Sequence, residues 1–152
     1  MRDVKNNQAD VKQNLANLGS KDYGESMKMI LAIAVGGAIG AVARHYVAYA
    51  VATTVGQGFP WGIVVVNILG SFLMGCLVET SALMWSPSVE MRAFMMVGVL
   101  GAFTTFSTFS LDVVLLIERG QMAAAASYII ISVICAIGAL FVGMALMRGL
   151  LT

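Results

Sequence analysis

Charge is what this sequence has least of. Only 11% of its 152 residues are Asp, Glu, Lys or Arg, where globular domains carry about 25%. No long charged stretch follows residue 28, and 59% of the chain is hydrophobic, with a mean hydropathy of +0.88. That balance excludes a water-surrounded catalytic domain and points to a membrane protein. The net charge of +1 gives no basic footprint for nucleic acid. Histidine occurs once, as His45, so no second imidazole can share a metal with it, and an interfacial place is expected. The two cysteines, Cys76 and Cys135, fall in separate apolar segments and read as free thiols, with neither a disulfide nor a metal site. No Ser-His-Asp set, HExxH run or Cys/His metal spacing occurs, so no enzyme is expected. Carboxylates are missing from the middle of the apolar runs. Glu79 and Asp112 lie near run ends, whereas a proton-driven exporter of four helices would need a central acid as its relay.

What is present is four long apolar runs, at about residues 29–51, 62–84, 93–117 and 122–147. Each is long enough to span a bilayer as a helix. The expected fold is therefore an all-α integral membrane protein, with a four-helix domain over 27–152. The preceding stretch, 1–26, is polar and charge-balanced. It is read as an extension outside the working domain and expected to be disordered, although Val11, Leu15 and Leu18 share a helical face.

Within the first run, Gly36 and Gly40 form a GxxxG pattern that allows close helix approach. Arg44 lies toward its far end and has two readings: an intramembrane charge with a function, or a side chain that snorkels to the headgroups. The second run carries Asn67 and Ser71, four apart and so on one face. Ser127, Tyr128 and Ser132 mark the fourth. Four spans put both termini on one side. Lys28, Arg92 and Arg148 then face Arg119 across the membrane, a slight positive-inside bias. Lys12 and Lys21 of the extension would add to it and favour cytoplasmic termini. Without them, insertion in both orientations is open.

The third run contains the stretch GAFTTFSTFS, residues 101–110. On a continuous helix its hydroxyls, Thr104, Thr105, Ser107, Thr108 and Ser110, would point around most of the circumference, some into lipid. Such density after Gly98 and Gly101 predicts an interrupted helix. Irregular backbone at membrane depth persists only where protein buries it or a cavity hydrates it. Freed carbonyls suit a cation and freed N–H groups an anion; a kinked helix whose hydroxyls only glue it to its neighbours is the alternative. Phe103, Phe106 and Phe109 recur every three residues. Their positive ring edges, together with hydroxyls and the Asn67 amide, make a donor set without formal charge. Such a set fits a small anion that must be dehydrated and then released. A four-helix exporter and a packing subunit of a larger complex stay open on these residues alone.

Three stretches together resemble one family. GGAIGAVARHYV, WGIVVVNILGSFLMG and GVLGAFTTFSTFSLD, in this order across four spans, are similar to the fluoride channels of the Fluc/CrcB family, from about Met27 to Thr152. The resemblance implies an antiparallel, dual-topology homodimer in the bacterial inner membrane. It also implies a broken third helix, two fluoride pathways and passive fluoride export that gives fluoride resistance. It assigns Phe106 and Phe109 to the lining of the fluoride path, Asn67 to the pore amide, and Arg44 to the aqueous vestibule. Thr105, Ser107, Tyr128 and Ser132 would complete the polar row. The carbonyls of Gly101 and Thr104 would hold a structural Na+ at the dimer interface. Two positions depart from the family pattern: Ile63 stands where a threonine is usual and Ala136 where a serine is. Ser71 or water would then fill the thinned row.

Overall fold

The computed structural model describes the backbone of residues 2–56 and 58–152, and the side chains of residues 23–56 and 58–152. All regular structure among them is helical. Four stretches are long and apolar enough to cross a membrane: Tyr23–Val55, Trp61–Leu83, Val89–Glu118 and Met122–Leu151.

The first lies within α1, Arg2–Val55. The polar stretch expected to be disordered is thus helical from Arg2 onward. No proline occurs between Arg2 and Val55, so nothing there removes a backbone donor or clashes with the preceding turn. The helix ends where Gly56 takes φ +103°, a left-handed conformation open to a residue without Cβ. Pro60, at φ −78°, precedes α2, Trp61–Leu83.

The third span is assembled from pieces. Ser88 caps the short α3, Val89–Arg92, by accepting from the Met91 N–H. A π-helix follows over Ala93–Leu100, then one turn of α4, Gly101–Phe103. Thr104 and Thr105 are extended, and α5 runs Phe106–Glu118. Gly120, at φ +73°, turns the chain into α6, Met122–Leu151.

Glycine decides which faces meet. A Cβ on Gly36 would strike the Phe94 carbonyl, and one on Gly40 the Val99 carbonyl. The α1 glycine stripe therefore lies directly against the π-helix. On an α-helix of about 3.6 residues per turn, Phe94 and Phe103 would lie half a turn apart. The longer i→i+5 winding carries Phe103 back toward α1, where its N–H meets the Gly40 position. A second close crossing joins α2 and α6, where Gly75 faces the Leu140 carbonyl and Gly143 the Phe72 carbonyl. One end of that pair is tied by Arg148, whose Nε and Nη2 donate to the two carboxylate oxygens of buried Glu79 at 2.8 and 3.2 Å. Gly70, on α2, leaves room for the Thr104 methyl and the Phe103 ring. That contact brings α2 against the non-helical point of the third span.

Candidate functional site

Thr104 (φ −76°, ψ 156°) and Thr105 (φ −151°, ψ 126°) stand at the midpoint of the third span. Extended backbone in an apolar setting must find partners for its polar groups. Thr105 finds both on one side chain. Its N–H donates to Asn67 Oδ1 at 2.9 Å, and Asn67 Nδ2 donates to its carbonyl at 3.0 Å. The carboxamide of α2 thus pairs with Thr105 as a neighbouring strand would. The Thr105 hydroxyl caps α5 by accepting from the Thr108 N–H at 3.2 Å. It also donates to Thr108 Oγ1 at 3.1 Å and lies 3.3 Å from Ser107 Oγ.

These bonds leave other groups without their helical partners. In a continuous α-helix the Gly101 carbonyl would accept from Thr105 N–H and the Thr104 carbonyl from Thr108 N–H. The first donor goes to Asn67 and the second to the Thr105 hydroxyl. Among the described residues no hydrogen bond reaches either carbonyl. The first N–H groups of α5, on Phe106 and Ser107, lie within the first turn of a helix and have no intrahelical acceptor.

The interruption opens on a groove of about 370 Å³. Asn67, Ser71, Gly101, Thr104, Thr105, Phe106, Phe109 and Ser132 line it, with apolar Val133, Ala136 and Ile137. No charged side chain is among them. Ser132 is 4% exposed, and its hydroxyl is buried without a hydrogen-bond partner. A buried, unsatisfied hydroxyl is costly unless something polar visits it. The rings of Phe106 and Phe109 are 5.4 Å apart. Phe109 is buried, whereas Phe106 is 76% exposed.

Three candidates lie off the groove wall. Tyr128 is fully buried, 5.2 Å ring to ring behind Phe109 and edge-on to Phe59 at 5.5 Å. Its hydroxyl donates to Asp112 Oδ2 at 3.0 Å, a pairing that the sixteen-residue separation hides in the sequence. Ser107 is exposed on the first turn of α5 and touches the groove only through the Thr105 hydroxyl. Arg44 sits partly exposed on α1, one turn beyond Gly40. Of the two departures, Ile63 packs against the buried cluster of Val64, Phe109, Leu116, Ala125 and Tyr128, and Ala136 forms part of the groove wall. His45 stacks on Tyr49 at 6.4 Å. The cysteines are free, and Cys76 lines a separate groove of about 460 Å³ whose other walls include Leu73, Leu77, Phe94 and Leu100. That second groove is almost wholly apolar and offers an ion nothing.

Residues 31–144 match the family described as CrcB-like protein, Camphor Resistance (CrcB). The chain belongs to the CrcB-like family. Among its relatives is a protein of Rhodospirillum centenum named fluoride-specific ion channel FluC. It is 53% identical over 122 residues, covering 80% of this chain and 97% of the relative. A protein of the same name from Agrobacterium fabrum is 51% identical over 121 residues, with 80% and 97% covered. One from Chelativorans is 49% identical over 125 residues, with 82% and 100% covered. With four spanning helices and these bacterial relatives, this CrcB-like chain is a multi-pass protein of the bacterial inner membrane.

Proposed function

We propose that this CrcB-like chain is a passive, fluoride-selective channel that exports cytoplasmic fluoride down its electrochemical gradient and so gives fluoride resistance. One observation carries the reading. A groove at the midpoint of the third span is lined by hydroxyl, carboxamide and phenyl side chains and by no formal charge. A lysine or arginine there would bind a small anion too tightly to release it, and conduction needs weak, multiple sites. The names of the relatives support fluoride as that anion. The driving force is simple. Neutral HF crosses the bilayer and dissociates inside. The trapped anion is then expelled by a negative-inside potential, at about 2.3 kcal/mol per charge per 100 mV.

The third span acts as a broken helix in this reading, with Phe106, Phe109, Asn67, Ser71, Thr105 and Ser132 along the anion path. Ser107 and Tyr128 support it from the cap of α5 and from behind Phe109. Arg44 belongs to the vestibule. The working unit is an antiparallel homodimer. The exposed Phe106 ring and the open side of the groove call for a second copy to cover them. The freed carbonyls of Gly101 and Thr104 are neutral oxygen donors with no carboxylate nearby in the groove, a set that fits Na+. Two carbonyls from one subunit are too few for a cation, so both copies would contribute. The ion would supply a fixed positive charge that ties the two interruptions together.

The test is fluoride efflux from liposomes holding only the purified chain, read with a fluoride electrode. We expect efflux without a pH gradient and little chloride efflux. Efflux only with an added partner protein, or only when coupled to protons, would overturn the reading.

A further inference from the structure

We infer that Asn67 is a positioning residue. It acts on the ion path chiefly by clamping the Thr105 backbone, and only one of its amide hydrogens remains for an anion. The geometry is direct: Oδ1 takes the Thr105 N–H at 2.9 Å and Nδ2 gives one hydrogen to the Thr105 carbonyl at 3.0 Å. A carboxamide carries one acceptor oxygen and two N–H donors, so the clamp uses the oxygen and half the donors.

The clamp decides what its neighbours can do. By taking the Thr105 N–H it releases the Gly101 carbonyl. By holding Thr105 extended it sets the hydroxyl that caps α5 at Thr108, and so fixes the register at which α5 begins. Phe106 and Phe109 ride on the first turn of that helix. The side chain comes from α2, 38 residues away in sequence, and Gly70 one turn later admits Phe103 and the Thr104 methyl. Remove the amide and two buried backbone groups lose their partners, which favours closure of the span into continuous helix. The consequence for flux rests on the channel reading above; the clamp itself does not.

The two roles part in one substitution. A protonated Asp side chain has the shape of Asn, with one acceptor and one O–H donor. It can remake both bonds to Thr105 and then has no hydrogen left for an anion. Ionised, it keeps only the bond from the Thr105 N–H. No titratable side chain lines the groove. The nearby pair Asp112 and Tyr128, on α5 and α6, is present in the native protein too, so ratios to native at each pH cancel its effect. The experiment uses the full chain in bilayers. Amide hydrogen exchange at Thr105 is read by solid-state NMR, and fluoride efflux is corrected for protein-free vesicles.

Asn67→Ala is expected to speed Thr105 exchange about tenfold, the loss of one net hydrogen bond, and to abolish most flux. Asn67→Asp is expected to lose flux at neutral pH. It should regain both slow exchange and much of the flux, relative to native, once the carboxyl protonates. Unchanged Thr105 exchange in Asn67→Ala would overturn the clamp. Should that variant fail to assemble, Asn67→Asp at two pH values carries the test alone. Recovery of slow exchange without recovery of flux would overturn the positioning role and make Asn67 a direct anion donor. Absence of fluoride flux in the native chain would strike the channel reading and leave the exchange result standing.

Discussion

Phe106 and Phe109 sit three residues apart on α5 with rings 5.4 Å apart, yet their surroundings differ. Phe109 packs on Tyr128 at 5.2 Å; Phe106 faces outward at 76% exposure. Replacing either ring by isoleucine keeps apolar bulk and removes the positive edge. An edge contact of ~1.4 kcal/mol is one decade of rate, so Phe106→Ile and Phe109→Ile should each lower fluoride flux about tenfold or more. Melting in detergent should also show a lowered transition temperature for Phe109→Ile, because Phe109 is buried within one copy. Flux unchanged in both would remove the rings from the path. The residues of the groove were legible in the sequence because hydroxyls, an amide and clustered phenylalanines are out of place in an oily run. Their pairings were not. Asn67 with Thr105, Tyr128 with Asp112 and Arg148 with Glu79 join different spans, and no local spacing encodes a bond across 38, 16 or 69 residues.

At the level of the helix, neighbouring glycines should answer substitution in opposite ways. Gly40 has the Val99 carbonyl where a Cβ would go, and Gly37 has nothing within reach. Gly40→Val should destabilise by about 3 kcal/mol or more through forced backbone separation. Gly37→Ala should be neutral or should gain up to about 1 kcal/mol of helix propensity. Thermal melting of the two variants checks this, and equal behaviour would show that α1 is not held against the π-helix by its glycine stripe. The GxxxG pattern disclosed that a close contact exists, but not its partner. The π-helix over Ala93–Leu100 left no mark in the sequence, since an apolar run in lipid looks alike whatever its winding. At the other extreme, few apolar residues argued against order in the first 26 positions. α1 nonetheless runs unbroken from Arg2 to Val55, so the polar stretch continues the helix of the first span.

For the molecule as a whole, the four spans were legible from hydropathy, and what ties them was not. Glu79 has a 7% exposed side chain, and its partner Arg148 a 63% exposed one. Losing the exposed partner strands a buried charge, whereas losing the buried one leaves an arginine free to reach water. Arg148→Ala should therefore lower the melting temperature more than Glu79→Gln, with the double variant recovering part of the loss. A reversed order would mean that Glu79 is not left as a stranded buried charge when its partner is lost.

The groove wall also makes a prediction about the medium. Dissolved salt weakens exposed charges over a Debye length of about 8 Å at physiological strength. A wall of dipoles and ring edges gives counter-ions nothing to gather on. Raising background ionic strength tenfold with an impermeant salt should leave initial fluoride flux within about twofold, with any residual effect lost in Arg44→Gln. A cell in brine and a cell in fresh water would then rid themselves of the toxin at nearly the same pace.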